Sequence, residues 1–217
     1  MNKLALFDCD GTLVDSQANI CISMDRAFEK HALTPPDHHL TRRIVGLSLQ
    51  EAVRQLLPEG DDALVEALTQ TYKDGFFELR QEGSVQEPLY EGIAQLLDEL
   101  DSAGWVLGVA TGKSDRGLNH VLELHGLTDR FVTLQTADRH PSKPHPAMID
   151  LAMSEAGATN ETTVMIGDTS FDMEMGVNAG VRPLGVDWGY HNADELVAAG
   201  AELVAVTMNE LQEALLK

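Results

Sequence analysis

The sequence predicts an α/β fold in which a doubly wound parallel sheet is interrupted by an inserted all-helical cap domain. Two observations support this prediction. From about residue 88 onward, strand-like and helix-like patterns alternate, which is typical of a parallel sheet with helices on both faces. Between about residues 16 and 82, apolar residues recur at helical spacing, and this block directly follows a first apolar strand.

The first strand and the helical block define the two parts of the chain. Residues 3–8 form a short apolar run that ends in acidic residues, as expected of a buried strand. The apolar residues at helical spacing are Ile20, Met24, Ala27 and Phe28, then Leu49, Val53, Leu56 and Leu57, and then Leu64, Leu68, Tyr72, Phe76 and Leu79. Prolines break this block into separate helices. We therefore predict a cap domain over residues 16–82 and a core domain over residues 1–15 and 83–217.

Helix caps and apolar runs define the elements in the alternating part of the chain. Ser114 is a favourable N-cap, Pro146 suits the first turn of a helix, and Gly180 can end one. The predicted elements are helix 92–103, strand 105–110, helix 114–125, a strand near 131–134, a helix from about 146, strand 162–166, helix 170–179, strand 181–186 and a final helix–strand–helix stretch.

Charge and composition limit the classes of partner. The chain carries a formal net charge of −20, which a nucleic-acid backbone or an anionic membrane would repel. No stretch approaches the roughly 18 apolar residues of a membrane span, and the two cysteines lack the spacing of a zinc site or disulfide framework. With no apolar leader or cleavage site at the N-terminus, we expect a cytoplasmic location. The expected partner is a small molecule, with no nucleic acid and no membrane, and the protein is expected to be a monomer or a homodimer.

The strongest chemical signal is Asp8-Cys9-Asp10-Gly11-Thr12, at the carboxyl end of the first strand. In open α/β sheets, ligands bind beyond the carboxyl ends of the strands. Side chains two residues apart project to the same side of a strand, so Asp8 and Asp10 can reach one site. Two close carboxylates repel each other, and such a pair usually needs a metal ion or a shared proton. Gly11 would let the backbone turn sharply.

A second signal is Thr111-Gly112-Lys113-Ser114, at the end of a strand and the start of a helix. A hydroxyl and free backbone N–H groups at such a position form a cradle for an anion. The segment resembles a nucleotide-binding P-loop, but Leu107 stands where the first glycine of a P-loop is required. We therefore reject the P-loop interpretation.

Two weaker signals follow later in the chain. Lys143 precedes Pro144 just before a helix, where it could direct a fixed cation toward a nucleophile or a phosphoryl oxygen; a solvated surface lysine is the alternative. Asp168 ends a strand and Asp172 lies one helical turn later, so both can face one point. Such carboxylates suit Mg²⁺, and helix capping is the alternative. All four signals lie at the carboxyl end of a predicted strand or in the loop beyond it.

With these four motifs, the sequence resembles the haloacid dehalogenase superfamily. The matching residues are Asp8-x-Asp10-Gly11-Thr12, Thr111, Lys143-Pro144 and Gly167-Asp168-x-x-x-Asp172. The resemblance covers nearly the whole chain and implies a Rossmann-like core. The helical insertion between the first two motifs is similar to the small α-helical cap of the subfamily that contains phosphoglycolate phosphatase.

The resemblance implies a catalytic role for four residues. Asp8 would attack phosphorus and form an aspartyl-phosphate, and Asp10 would protonate the leaving alcohol and then activate water. Thr111 would donate a hydrogen bond to the phosphoryl group, helped by the backbone N–H of Gly112. Lys143 would steady Asp8 and the transferred group. A carboxylate nucleophile divides one difficult hydrolysis into two easier steps.

The resemblance also implies a Mg²⁺ cofactor. Asp8, the backbone carbonyl of Asp10 and Asp168 would hold the ion, and Asp172 would lie alongside it or act through water. Phosphoryl transfer requires in-line positioning and stabilisation of negative charge, and a cation would contribute to that stabilisation.

Substrate recognition is expected from the motif loops and the cap. Gly11 and Thr12 of the first motif and Gly112 of the second are candidate substrate-binding residues. In the cap, Arg42 and Arg43 lie in a segment that resembles the part of the cap nearest the active site in relatives. Arg43 or its neighbour could pair with a carboxylate or a second phosphate, and a solvated basic pair is an equal alternative. The substrate stays open between 2-phosphoglycolate, a sugar phosphate, a nucleotide and pyrophosphate.

We expect a phosphoric monoester hydrolase acting on a small phosphorylated metabolite, with several alternatives open. A sugar phosphomutase of the same superfamily usually has valine where Thr12 stands. A dehalogenase lacks the second aspartate, which is present here as Asp10. A receiver-like phospho-acceptor module uses a similar acidic pocket but is usually shorter and lacks the helical insertion. A member that only binds ligands is disfavoured because no motif is broken.

Overall fold

The computed structural model describes residues 1–83 and 85–216, and within them the chain forms six strands and ten α-helices. The strands are β1 (Lys3–Phe7), β2 (Trp105–Thr111), β3 (Thr133–Thr136), β4 (Thr163–Gly167), β5 (Arg182–Val186) and β6 (Leu203–Ala205). The helices are α1 (Gln17–Lys30), α2 (His38–Arg43), α3 (Leu49–Leu56), α4 (Asp62–Gln81), α5 (Ile93–Ser102), α6 (Asp115–Leu124), α7 (Ala147–Ala156), α8 (Ser170–Ala179), α9 (Ala193–Ala198) and α10 (Met208–Leu216). Of the helices in these two ranges, none combines the length and the apolar character needed to cross a membrane.

The strands form one parallel sheet in the order β3-β2-β1-β4-β5-β6. The chain first builds outward from β1 through β2 and β3, and then adds β4, β5 and β6 on the other side of β1. Phe7, at the end of β1, lies beside Val109 of β2 and Ile166 of β4. The carboxyl ends of these three strands therefore meet at the point where the winding reverses. The predicted doubly wound parallel sheet is confirmed.

Helices cover both faces of the sheet. On one face, Phe7 belongs to an apolar cluster with Leu97 of α5 and Leu118 of α6. On the other face, Leu6 belongs to a cluster with Met148 of α7. Neighbouring residues of β1 enter different cores because successive side chains of a strand point to opposite faces. This double coverage explains why the first strand is a continuous apolar run rather than an alternating one.

The helices α1 to α4 lie between β1 and the rest of the sheet in the chain, as the helical periodicity predicts. Met24 and Phe28 of α1 and Leu68 of α4 belong to an apolar cluster that these helices form among themselves. The longest of them, α4, begins after Asp61, whose carboxylate accepts a hydrogen bond from the backbone N–H of Leu64 at 2.9 Å. We refer to α1 to α4 and their connecting loops as the cap. The division of the chain into two domains stays a prediction.

The strand β3 lies two residues later than predicted. The apolar residues at the start of the predicted strand 131–134 include Val132, which is 65% exposed. The buried positions of β3 are polar instead. Gln135 donates hydrogen bonds to the hydroxyl of Thr133 at 2.7 Å and to the carboxylate of Glu155 at 2.8 Å. A strand buried through satisfied polar side chains has no apolar pattern from which its position can be predicted.

Candidate active site

The carboxyl ends of three adjacent strands bring the predicted motifs together. Asp8 directly follows β1, Thr111 ends β2, and Asp168 directly follows β4. These residues lie close to one another because β1 is between β2 and β4. Lys143, in the loop before α7, and Asp172, in the first turn of α8, complete the group. All five residues are buried.

Asp8 has one engaged carboxylate oxygen and one free one. Its Oδ1 accepts a hydrogen bond from the backbone N–H of Cys9 at 2.6 Å and lies 3.0 Å from Nζ of Lys143. Its Oδ2 is buried and has no hydrogen-bond partner within the described residues. A buried carboxylate oxygen without a partner is unfavourable, so this atom indicates a place for a cation or an electrophile.

The surroundings of the two strand-end carboxyl groups oppose their ionisation. Burial raises the pKa of Asp8 to about 7, although the ammonium of Lys143 acts in the opposite direction. The charges of Asp172 and Asp10 raise it as well. Burial also raises the pKa of Asp168 well above its ordinary value, and the charges of Asp172 and Asp8 add to the effect. A bound cation would favour the ionised form of both groups.

The ammonium of Lys143 is held between two carboxylates. Its Nζ lies 2.6 Å from Oδ1 of Asp172 and 3.0 Å from Oδ1 of Asp8, and the side chain has no exposed surface. Burial disfavours the charged form, but Asp172 and Asp8 outweigh that effect and raise the pKa of Lys143 above its usual range. The alternative of a solvated surface lysine does not hold, since this side chain is fully buried beside Asp8.

Three carboxylates can supply oxygen ligands to one cation. Asp8, Asp168 and Asp172 each offer an oxygen, and these atoms lie within 4.8 Å of one another. Oδ1 of Asp168 accepts a hydrogen bond from the hydroxyl of Thr12 at 2.7 Å, and Oδ2 accepts one from the backbone N–H of Tyr190 at 2.9 Å. A small set of carboxylate oxygens fits a hard divalent cation.

Asp172 is engaged at both carboxylate oxygens. Oδ1 contacts Lys143, and Oδ2 accepts hydrogen bonds from the backbone N–H of Thr169 at 3.1 Å and from its hydroxyl at 2.7 Å. The bond from the backbone N–H of Thr169 belongs to a capping box at the start of α8, whose other half is the bond from the backbone N–H of Asp172 to the hydroxyl of Thr169. Asp172 therefore caps the helix and also belongs to the carboxylate cluster. Whether Asp172 acts on a metal directly or through water stays a prediction.

Gly11 and Thr12 shape the loop around Asp168. Gly11 has φ of +85°, and a Cβ at this position would lie 2.2 Å from Oδ2 of Asp168, so only glycine fits. The hydroxyl of Thr12 orients the same carboxylate. Neither residue is among the described residues that line the cavity beside the site. The structure therefore brings both of them to Asp168 rather than to the place where a substrate would lie.

A cavity of about 690 Å³ lies between the strand ends and the cap. Asp8, Asp10, Thr111 and Gly112 line it on the sheet side. Apolar residues that line it on the cap side include Ile20, Met24, Ile44, Val45, Leu47, Tyr72, Phe76 and Phe77. The cap side also contributes polar residues, among them Gln70, Lys73 and Arg80. A cavity that combines apolar residues with convergent polar groups is typical of a small-molecule site.

The loop between α2 and α3 lies closely against the second motif. A Cβ on Gly112 would be 2.3 Å from the carbonyl oxygen of Leu47 and 2.5 Å from that of Gly46. The backbone N–H of Ser48 donates a hydrogen bond to the hydroxyl of Ser142 at 2.9 Å. This loop therefore closes one side of the cavity.

Arg43 does not face the cavity. Its guanidinium lies 2.5 Å from the carboxylate of Glu195 in α9, and its carbonyl oxygen lies 3.1 Å from Nε2 of His191. It is not among the described residues that line the cavity. The structure places this candidate substrate-binding residue in a contact between the cap and the last part of the chain.

The side chain of Asp10 lies outside the three-carboxylate cluster. Its Oδ1 accepts hydrogen bonds from the hydroxyl of Ser16 at 2.5 Å and from Nζ of Lys113 at 2.6 Å. Metal binding through the backbone carbonyl of Asp10 stays a prediction.

The sequence motifs assign no role to Lys113. A lysine after Gly112 is typical of a P-loop, and the chain lacks the first glycine of that motif. The position of Lys113 two residues after Thr111, at a strand end, is the signal that could have identified it.

Known proteins resemble the chain over nearly its whole length. Residues 5–186 match the family model described as haloacid dehalogenase-like hydrolase. The chain is 37% identical over 217 residues to "Probable phosphatase IndB" of Dickeya dadantii, with 97% of this chain and 92% of that protein covered. It is 28% identical over 217 residues to "Phosphoglycolate phosphatase" of Vibrio parahaemolyticus, with 97% and 95% covered.

A solved structure has the same fold along the chain. The crystal structure of a predicted phosphatase from Clostridium acetobutylicum has a TM-score of 0.89 and 26% sequence identity, and 100% of this chain and 99% of that one are covered. The family model spans both the strand-end motifs and the helical insertion. The chain belongs to the haloacid dehalogenase-like hydrolase family.

Proposed function

We propose that the protein is a Mg²⁺-dependent phosphatase that hydrolyses a small phosphorylated metabolite through an aspartyl-phosphate on Asp8. One observation carries the proposal: Asp8 lines the cavity with a buried, unpartnered Oδ2, while its Oδ1 is held beside Lys143 in a cluster with two further carboxylates. A carboxylate oxygen with no hydrogen bond and a fixed cation next to its partner oxygen is suited to act as a nucleophile.

In the first half-reaction, Oδ2 of Asp8 attacks phosphorus, and the bond from phosphorus to the leaving oxygen breaks. Asp10 donates a proton to that oxygen, so that an alcohol departs. The hydroxyl of Thr111 accepts a hydrogen bond from the backbone N–H of Lys113 at 3.2 Å, which leaves its own proton available for a phosphoryl oxygen. The backbone N–H of Gly112 is the second donor that we assign to the phosphoryl group.

In the second half-reaction, Asp10 has lost its proton and accepts one from a water molecule. The water oxygen bonds to phosphorus, the bond from phosphorus to Asp8 breaks, and inorganic phosphate leaves. Lys143 stabilises the carboxylate that Asp8 regains, because its ammonium is already held 3.0 Å from Oδ1. Asp10 returns to its protonated form, and the cycle is balanced in protons.

The proposed metal is Mg²⁺ because the candidate ligands are all oxygens and include only two or three carboxylates. Asp8, Asp168 and the backbone carbonyl of Asp10 would hold the ion, with Asp172 beside it or acting through water. When bound, the ion would supply positive charge that offsets the carboxylates and the phosphoryl oxygens. Lys143 would keep Asp8 oriented both with and without the bound ion.

The proposed substrate is a small phosphorylated metabolite, either phosphoglycolate-like or a sugar phosphate. A cavity of about 690 Å³ has room for a molecule of this size. The relatives named phosphatase and phosphoglycolate phosphatase support the same class.

The net charge of −20 disfavours nucleic acid and anionic membranes as partners. We propose a cytoplasmic protein that is a monomer or a homodimer. Size-exclusion chromatography with light scattering would distinguish these two oligomeric states.

Phosphate release from a panel of compounds tests the proposed function. The panel contains 2-phosphoglycolate, sugar phosphates, nucleotides, pyrophosphate and the general substrate p-nitrophenyl phosphate. We expect turnover that requires Mg²⁺, stops in excess EDTA and returns when Mg²⁺ is restored. Full activity in EDTA would contradict the metal site.

The variant Asp8→Asn tests the nucleophile. We expect it to lower kcat by more than about 10³-fold while keeping the circular dichroism spectrum of the folded protein, since the side chains are nearly isosteric. Asp15→Asn is a matched control, because this aspartate lies in the same loop but is exposed. Activity of Asp8→Asn within tenfold of the wild type would refute the assignment.

A further inference from the structure

We propose that Lys113 is a positioning residue for Asp10, which holds this carboxyl group so that its second oxygen exchanges protons with the leaving group and with water. The inference rests on the proposed function, since it concerns the proton transfers of that reaction. It adds to the site a residue that is not among those on which the family resemblance rests.

The contacts of Asp10 leave one oxygen for chemistry. Oδ1 accepts hydrogen bonds from both Ser16, at 2.5 Å, and Lys113, at 2.6 Å. No hydrogen bond from any residue in the described ranges reaches Oδ2, and Asp10 lines the cavity. Two donors on one oxygen fix the orientation of the carboxyl group. The proton that Asp10 gives and takes is therefore assigned to Oδ2.

Lys113 is itself held from a second side. Its Nζ lies 3.1 Å from Oε1 of Glu87, whose side chain has no exposed surface. The other oxygen of Glu87 lies 3.2 Å from Nη2 of Arg80, so one buried carboxylate is shared between two cations. Nζ of Lys113 also lies 5.8 Å from the ring centroid of Phe76. These contacts prevent the ammonium from leaving Asp10 for solvent, which a surface lysine would do at little cost.

Charge keeps this arrangement in place. Burial disfavours the ammonium of Lys113, but the carboxylates of Asp10 and Glu87 outweigh that effect and raise the pKa of Lys113 above its usual range. The residue therefore stays charged in neutral solution. Without it, Asp10 would be held by Ser16 alone, and Glu87 would have Arg80 as its one remaining cation among the described residues.

The variant Lys113→Met separates positioning from general damage, because the two half-reactions of p-nitrophenyl phosphate need Asp10 unequally. The p-nitrophenolate ion leaves without a proton, so formation of the aspartyl-phosphate depends little on Asp10. Breakdown of that intermediate requires Asp10 to accept a proton from water. In the Mg²⁺-loaded enzyme, stopped-flow absorbance gives the first rate constant and rapid acid quench of the phosphoenzyme gives the second.

We expect Lys113→Met to slow phosphoenzyme breakdown by about 10- to 100-fold, while its formation changes by less than about threefold. Lys113→Arg keeps the cation and should restore most of the breakdown rate. Lys30→Met is the control, because Lys30 is exposed at the end of α1 and does not line the cavity. The ratio of the two rate constants should not change in this control.

A second variant separates the role of Lys113 from its effect on folding. Lys113→Met leaves the buried Glu87 with one cation fewer, so the double variant Lys113→Met/Glu87→Gln removes the excess charge. We expect the double variant to have wild-type thermal stability within a few degrees and the same selective loss of breakdown. Equal losses of both rate constants, or an unchanged breakdown rate, in either variant would overturn the role of Lys113.

The proposed function fails differently from this inference. A wild-type enzyme that forms no acid-stable phosphoenzyme, together with an active Asp8→Asn variant, would overturn the proposed function and the inference with it. If the wild type forms a phosphoenzyme and the phosphoenzyme of Lys113→Met decays at the wild-type rate, the inference alone is overturned.

Discussion

Individual side chains in this site are oriented by buried charges rather than by contact with solvent. Lys143 lies between Asp172 and Asp8, and Lys113 lies between Asp10 and Glu87. In each case a lysine with little or no exposed surface contacts a carboxylate for which we propose a catalytic role and a second carboxylate. The two lysines differ in position, because one holds the proposed nucleophile and the other holds the proposed acid.

Removal of the Lys143 ammonium should destabilise the protein as well as inactivate it. Lys143→Met leaves the carboxylates of Asp8 and Asp172 buried without their shared cation. We expect the free energy of unfolding, measured with urea at pH 8, to fall by about 3 kcal/mol. Lys30→Met is the control, since Lys30 is exposed at the end of α1, and it should change stability by less than about 0.5 kcal/mol. Equal stability of the two variants would contradict the buried ion pair.

Residues at strand ends could be predicted from the sequence, and residues that join distant segments could not. Asp8 and Asp168 each follow an apolar run, so their positions in the sheet follow from the pattern of the strands. Lys113, Glu87 and Arg80 form ion pairs across the second motif, the linker after the cap and the end of α4. No spacing in the chain reveals such pairs, because they depend on how the elements pack.

At the scale of elements, the close approach between the α2–α3 loop and the second motif depends on the absence of a side chain at Gly112. The carbonyl oxygens of Gly46 and Leu47 occupy the space where a Cβ would lie. The sheet side and the cap side of the cavity are thereby brought together. The helices of the cap follow the predicted periodicity, whereas this loop contact has no periodic signal.

Gly112→Ala should move the loop between α2 and α3 away from the second motif. We expect kcat/KM to fall by about 10- to 100-fold, because the loop and the proposed phosphoryl-binding groups of Thr111 and Gly112 would no longer be correctly positioned relative to each other. Gly75→Ala is the matched control, since a Cβ there meets nothing within 4 Å in helix α4, and it should keep activity and gain about 0.5–1 kcal/mol. Steady-state kinetics and thermal melts of both variants check this. A Gly112→Ala enzyme with wild-type kcat/KM would show that the loop contact is dispensable.

At the scale of the whole molecule, the family predicted from four short motifs is confirmed by a match over residues 5–186. The parallel sheet and its two helical layers follow from alternating patterns that extend over most of the chain. The substrate does not follow, because the cavity is built from cap and sheet residues that the sequence does not place together. The candidate Arg43 illustrates this, since it pairs with Glu195 instead.

The metal-free protein should lose stability as the pH rises. Folding raises the pKa of Asp8 to about 7 and that of Asp168 well above its ordinary value, so the folded state binds protons more tightly than the unfolded state. Between about pH 4 and pH 7, stability therefore falls as pH increases. We expect a lower melting temperature in EDTA at pH 7.5 than at pH 5, and a larger stabilisation by Mg²⁺ at pH 7.5, where protons compete less for the ligands.

The variant Asp168→Asn provides the control for this pH effect. It removes one of the two groups, so both the pH slope and the stabilisation by Mg²⁺ should decrease. Repulsion among the charges of the whole protein, which has a net charge of −20, remains almost unchanged in this variant. The difference between the variant and the wild type therefore reports the pH effect of the carboxylate cluster. An equal change of melting temperature between pH 5 and pH 7.5 in the wild type and in Asp168→Asn, both in EDTA, would contradict the raised pKa of Asp168.

The central position of β1 has a consequence for synthesis on the ribosome. Leu4 lies beside Val106 and Thr163, so the first strand to be translated waits for partners that emerge much later. The cap helices need only neighbouring segments and can pack earlier, because local contacts form faster than distant ones. The nascent chain gains a complete acidic cluster only when Asp172 has left the exit tunnel. Catalytic competence is therefore among the last properties that this polypeptide acquires.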